Sequence, residues 1–139
     1  MRKLSILIFF IISNISLAQS QQEFDLKWMP LEIFIQDGES IKTLSFEGAD
    51  ASADSNFLPY FSKKIKIENS RSNYSVNLIN AIYEPLTKQE RNLIDPNQIT
   101  SQIDFQLNQV GIRKQEYLQI TFLPIRKNPS NGILEKLTK

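Results

Sequence analysis

Apolar residues alternate with polar ones along much of the chain, and this period of two is typical of strands with one buried face. Phe24, Leu26 and Trp28 show the pattern first. It returns after Pro30 in the segment from Leu31 through Ile33 and Ile35. An Asp37-Gly38 pair follows, so residues 31–46 are expected to form a hairpin whose alternating apolar positions are buried.

The rest of the chain continues in strands joined by turns. Residues 47–59 are small and polar and predict a long surface loop. Strands are expected at 60–68, at 74–84 with Val76, Leu78 and Ile82 inward, at 103–108, and at 117–122 with Leu118, Ile120 and Phe122 inward. A capping box of Thr87 and Glu90 predicts one short helix over residues 88–94, ahead of Pro96.

Together these patterns predict a mainly β fold. About seven strands separated by turns favour an antiparallel β-sandwich or a strongly curved sheet over a parallel fold. The terminal residues 133–139, which follow the "NPSNG" turn, are expected to pair only partly and to leave a sheet edge that a continuation of the chain would cover.

Residues 1–18 have the pattern of a signal peptide. Arg2 and Lys3 precede an apolar run, and Ser16-Leu17-Ala18 supplies small residues for cleavage before Gln19. A membrane anchor is the alternative, but the run is shorter than the roughly 20 apolar residues needed to span a bilayer. We therefore expect an exported chain, located in the periplasm, at the outer membrane or on the cell surface, with one domain over residues 19–139.

Composition excludes several functions. Without Arg2 and Lys3, 14 basic residues face 15 acidic ones, and this balance argues against nucleic-acid or general anionic-lipid binding. The chain contains neither cysteine nor histidine, so it lacks a thiol nucleophile, thiolate metal ligands and the commonest general base. No cofactor or metal is expected.

The remaining chemical candidates are weak. A serine-lysine pair at Ser62-Lys63 would place its members on opposite faces of a strand. The carboxylates Glu23, Asp25 and Glu84 have no signature beyond proximity to one another or to Tyr83. Loop oxygens that could hold a calcium ion weakly belong to Asp50, Asp54, Ser55 and Asn56. Aromatic residues that could bind a glycan or protein are Trp28, Tyr60, Tyr74 and Tyr117.

Three stretches, "EFDLKW", "LINAIYEPLTKQE" and "YLQITFLPIRKNPSNGILEKLTK", resemble in order the N-terminal region of the PorU-type sortases of the type IX secretion system. These sortases belong to the gingipain family of cysteine peptidases. The resemblance implies a β-rich, gingipain-propeptide-like domain ahead of a caspase-like catalytic domain, which removes C-terminal sorting domains from cargo at the outer membrane. No catalytic residue can be assigned here, since the family's cysteine and histidine belong to the later domain.

The resemblance also implies an indirect activity, in which the domain shields, helps to fold or docks the peptidase domain. The expected partners are that catalytic domain, in the same or a neighbouring chain, and outer-membrane secretion components. Gingipain propeptides present a basic residue to the active-site cleft, which makes Arg113, Lys114, Arg126 and Lys127 the candidate interaction residues. The alternatives are a free-standing secreted β-sandwich that binds glycan or protein, and a hydrolase that uses carboxylates.

Overall fold

A computed structural model describes residues 21–50, 58–68 and 72–139. The predicted signal peptide, residues 54–56 of the possible calcium loop and part of the expected turn at 69–73 lie outside these residues. Within them are eight strands, a one-turn helix α1 at Lys88–Arg91 and a 3-10 turn at Pro96–Gln98. The strands are β1 (Glu32–Gln36), β2 (Glu39–Thr43), β3 (Phe61–Ile67), β4 (Tyr83–Pro85), β5 (Gln106–Ile112), β6 (Gln115–Phe122), β7 (Ile125–Lys127) and β8 (Leu134–Leu137).

The strands form three antiparallel sheets: a β1-β2 hairpin, a β3-β6-β5 sheet and a β4-β8-β7 sheet. The prediction of a mainly β, antiparallel fold with one short helix is thus confirmed. The capping box is also confirmed, because Glu90 N–H donates to the Thr87 hydroxyl and Thr87 N–H donates to the Glu90 carboxylate. The helix is shorter than expected and ends at Arg91.

Two apolar clusters form the core. The first contains Leu118, Ile120 and Phe122 of β6, as predicted, together with Leu137 of β8, so the two three-stranded sheets meet there. The second gathers residues on both sides of α1 with Ile125 and Leu134, the latter also on β8. Because burying a large aliphatic side chain is worth about 1.5–3 kcal/mol, these clusters are a main source of stability.

The C-terminal strand contradicts the expectation of a partly paired edge. Strand β8 is the central strand of its sheet and pairs with β4 on one side and β7 on the other. Beyond it, the Thr138 carbonyl accepts from Leu26 N–H and the Lys139 carbonyl from Ile82 N–H, both at 2.9 Å. Apolar Leu134 and Leu137 explain this position, since they supply side chains to both clusters.

Three other expectations about strands were wrong. Residues 74–82 are irregular, with Asn80 at a φ of 55°, and the expected inward residues Leu78 and Ile82 are 37% and 53% exposed. Residues 24–28 form only a single bridge, from Trp28 to Phe46. Strand β5 starts later than expected and runs through residues 110–112, because the hairpin loop it shares with β6 is only two residues long.

The β1-β2 hairpin forms at the predicted turn, but its apolar face is not buried. Ile33 is 62% exposed and Ile35 is 76% exposed. The two-stranded sheet also pairs with no third strand in the described part of the chain, so its edges are open there as well.

Candidate interaction surface

The tip of the β5-β6 hairpin carries two of the predicted interaction residues. Ile112 and Gln115 form the last pair of the ladder, which leaves Arg113 and Lys114 as the two-residue loop. Both residues are exposed. The hairpin therefore places two positive charges side by side at the end of a rigid ladder.

The backbone of this tip is unusual for its residue types. Arg113 has a φ of 48° and Lys114 a φ of 67°, the left-handed values that a tight hairpin turn of this kind requires. Left-handed backbone costs residues with an ordinary side chain about 1–2 kcal/mol each. The β1-β2 turn solves the same geometric problem with Asp37 and Gly38, the residue types that tolerate it.

The other predicted pair, on β7, lies in a different sheet and is used by the fold. Arg126 donates from Nε to Glu135 Oε1 at 2.7 Å and stacks over the Tyr83 ring at 3.6 Å. Burial raises the pKa of Tyr83, and the nearby Glu135 charge adds to this rise against the opposing effect of Arg126. Lys127 donates its backbone N–H to Thr100 at 2.8 Å. The structure thus does not bring the four basic residues together on one hairpin.

A second ion pair, which the sequence did not indicate, joins α1 to β8. Lys136 Nζ lies 2.7 Å from Glu90 Oε1, and the two side chains are only 12% and 8% exposed. Burial opposes ionisation of Glu90, but hydrogen bonds from Lys136 and Thr87 outweigh it and lower the pKa of this carboxyl. The two residues are 46 positions apart, so no local pattern could have paired them.

The serine-lysine pair does not form. The Ser62 hydroxyl lies 3.3 Å from the Thr121 hydroxyl and accepts from Gln119 Nε2 at 3.0 Å. Lys63 instead lies over the Phe24 ring, 3.9 Å from its centroid. Lys63 is therefore not placed to take the proton of this serine, since a general base must lie within hydrogen-bond reach of the nucleophile.

The carboxylate candidates lie in two different places. Glu23 pairs with Lys139, whose hydrogen bond and charge lower the pKa of the glutamate. The pKa of Lys139 is raised chiefly by Glu23 and further by the charge of Asp25, so these two carboxylates share one lysine. Glu84 is an exposed residue of β4, opposite Lys136 in the ladder. Within the described ranges no group of three metal-binding side chains is found, and Asp50 is tied to Tyr60 by two backbone hydrogen bonds of 2.8 Å.

Three of the aromatic candidates pack against the core, whereas Tyr117 lies on the face of β6 opposite to the buried Leu118 and Ile120. Trp28, Tyr60, Tyr74 and Tyr117 are all half-buried. Trp28 also donates its indole N–H to the Leu137 carbonyl at 2.8 Å and packs edge-on against Phe46. Among the described side chains, the large apolar groups that are exposed are aliphatic or sulfur-containing, so a stacking surface for a sugar ring would have to come from the half-buried aromatics.

Two open depressions on the described surface are candidates for a ligand site. One depression of about 190 Å³ lies between the base of β2 and residues Leu93 and Ile94. A second, of about 420 Å³, is lined by residues 27–30 and Glu47. Neither gathers the few convergent polar groups that usually fix a small ligand.

No helix in the part of the chain that the structure describes is long and apolar enough to cross a membrane. No protein-family model, curated protein or solved structure matches the chain. The family resemblance of the three sequence stretches therefore remains a prediction.

Proposed function

We propose that this chain is a non-catalytic β domain of a type IX secretion sortase-like cysteine peptidase, which acts on the peptidase domain by occupying its cleft. The enzyme would process C-terminal sorting domains of exported cargo at the outer membrane. The domain would be exported with the catalytic domain, in the same chain or a neighbouring one, and would dock against it without taking part in the chemistry.

One observation carries the proposal: the β5-β6 turn holds Arg113 and Lys114 in left-handed backbone conformations. Strain of this kind is retained where the side chain itself is needed, because asparagine and glycine would fit the turn at lower cost. A short, rigid turn with two exposed cations is suited to entering a cleft, as little conformational freedom is lost on binding. This is the behaviour that the resemblance to gingipain propeptides implies for a basic residue.

The competing functions have less support from the side chains. A glycan-binding module would use exposed aromatics, whereas the four aromatic candidates are half-buried. A hydrolase based on carboxylates needs two acids facing one site, one of them with a raised pKa. Glu23 and Asp25 are instead exposed beside Lys139, which lowers the pKa of Glu23, and Glu84 lies on the exposed side of β4.

The test begins with the reading frame beyond the codon for Lys139 and with the neighbouring genes. Both are searched for a caspase-like domain with a cysteine and a histidine. That domain, expressed separately, is assayed on an arginyl or lysyl peptide substrate with increasing amounts of the chain from Gln19 to Lys139. We expect saturable inhibition, weakened at least about tenfold by Arg113→Gln with Lys114→Gln, since each lost charged contact is worth about a factor of ten.

Lys64→Gln with Lys66→Gln is the matched control, because it removes two exposed positive charges from β3, away from the tip, and should leave inhibition unchanged. Absence of both binding and inhibition at high concentration would remove the proposal. Equal weakening by the β3 and tip substitutions would show that only net charge matters.

A further inference from the structure

The apolar face of β1 has the pattern of a covered strand but no cover in the described part of the chain. Ile33 and Ile35 are two residues apart on β1, so their side chains share one face of the strand, yet they are 62% and 76% exposed. Within the described residues β1 pairs with β2 alone, and an unpaired strand edge is a template for pairing with another strand.

The register of the hairpin shows which backbone groups of β1 face away from β2. Gln36 pairs with Glu39 across the two-residue loop, and residues that flank such a loop form a hydrogen-bonded pair. Hydrogen-bonded and non-hydrogen-bonded pairs alternate along an antiparallel ladder. The N–H and C=O groups of Ile33 and Ile35 therefore point outward, at the residues whose side chains are also exposed.

We infer that this edge binds the β1 edge of a second copy of the chain, antiparallel, about a two-fold axis at Phe34. This register places Ile33 opposite Ile35 of the second copy, and Ile35 opposite its Ile33. Two hydrogen-bonded pairs and one four-stranded sheet result, with four isoleucines together on one face. The inference does not rest on the proposed function.

The charges fit a second copy in this register. Glu32 lies opposite Gln36 of the other copy, so no like charges face each other directly. The outer edge of β2 is less suited to pairing, because its outward residues, Ser40 and Lys42, include a charged side chain of the kind that protects sheet edges. Strand β3 is similarly protected by its lysines, and β4 by Pro85.

The contact is small, since it involves one edge of a five-residue strand. Interfaces below the standard size are weak and reversible, so we expect a monomer-dimer equilibrium rather than a permanent dimer. Sedimentation equilibrium of the protein from about 10 μM to about 1 mM should show a weight-average mass that rises toward twice that of the monomer.

Charge substitutions test the register. Ile33→Lys with Ile35→Lys places like charges opposite each other twice and should abolish the association. Ile33→Glu with Ile35→Lys places a carboxylate opposite an ammonium group twice and should restore it. Ser40→Lys, which adds a charge on the outer edge of β2, is the control and should leave the mass curve unchanged.

A cysteine provides a second measurement that does not depend on the charge variants. The chain has no cysteine, so Phe34→Cys gives a single thiol at the proposed axis. Non-hydrogen-bonded antiparallel pairs hold their Cα atoms about 4.5 Å apart, within the range for a disulfide. Oxidation should yield a covalent dimer with Phe34→Cys and little with Ser40→Cys.

The inference is overturned if the protein stays monomeric up to about 1 mM, or if the two-lysine variant associates as the unmodified protein does. It is also overturned if the Glu/Lys variant remains monomeric, because the register then fails. Near-ultraviolet circular dichroism matching the unmodified protein would show that these exposed substitutions preserve the fold.

Discussion

Replacing Lys136 with methionine should destabilise the protein far more than its position near the surface suggests. The change keeps the length of the side chain but removes the charge that lies 2.7 Å from Glu90 Oε1. Glu90 of α1 would stay buried, and its carboxylate would keep only its hydrogen bonds with Thr87, including that from the Thr87 N–H at 2.7 Å. Removing one partner of a buried ion pair costs about 3–5 kcal/mol, and slight exposure of both side chains places the expected loss near about 3 kcal/mol.

A double-mutant cycle separates the pair from its surroundings. Glu90→Gln alone leaves an unpaired ammonium group and should also cost about 3 kcal/mol. With both substitutions, the amide oxygen can still accept from Thr87 and no buried charge is left over, so the total should again be about 3 kcal/mol. The coupling energy is then about 3 kcal/mol, at the upper end for directly contacting residues.

Urea unfolding at neutral pH, followed by far-ultraviolet circular dichroism, gives the four midpoints at a common slope. The control is Lys27→Met, since Lys27 pairs with Glu47 at 3.7 Å while both side chains are more than 70% exposed. That exposed pair should be worth at most about 1 kcal/mol. A coupling energy below about 1 kcal/mol, or a Lys136→Met loss equal to the control, would refute the reasoning.

Arg113→Asn with Lys114→Gly should raise the free energy of unfolding by about 1–2 kcal/mol, because it relieves left-handed strain, and urea midpoints measure this; a loss of stability would contradict the strain argument. Thr87→Ala should cost about 1 kcal/mol by removing the capping box, measured the same way, whereas no change would mean that tertiary contacts alone hold α1. Because the pKa of Glu90 in the folded protein is lower than its ordinary value of 4.5, the ionised carboxylate stabilises the fold at pH values above 4.5. This contribution is lost as the pH falls through the folded-state pKa. The stability gap between the protein and its Glu90→Gln variant should therefore narrow below pH 4.5, and a constant gap would argue against the linkage.

Features encoded within a few residues were predictable from the sequence. The Asp37-Gly38 turn, the capping box at Thr87 and the alternating core face of β6 all appear where expected. Each depends on local backbone chemistry or on the period of the strand, so no long-range information was needed.

Features that depend on distant partners were not predictable. The spacing of Ile33 and Ile35 correctly predicted a strand but wrongly predicted a buried face, because the pattern does not identify an element that would cover that face. Residues 74–82 have strand-like composition, yet Ile82 bonds to the chain at 138–139 rather than to a neighbouring ladder. The Glu90–Lys136 pair also needed knowledge of how the sheets are arranged.

For the candidate site, sequence reasoning found the basic residues but not their roles. Both "IRK" segments look alike in sequence, but one ends in an exposed turn while the other places its arginine against Tyr83 and Glu135. The signal that separates them is the absence of asparagine or glycine at a two-residue turn. That signal becomes readable only when the length of the loop is known.

The central position of β8 has a consequence for folding kinetics. Its partner β4 lies about fifty residues earlier, and the Trp28 indole bonds to Leu137 across 109 positions. Contacts so distant in sequence require large loops to close before they stabilise anything, which slows folding. We therefore expect the β5-β6 hairpin, closed by two residues, to form early, and the sheet built on β8 to be the late, rate-limiting event.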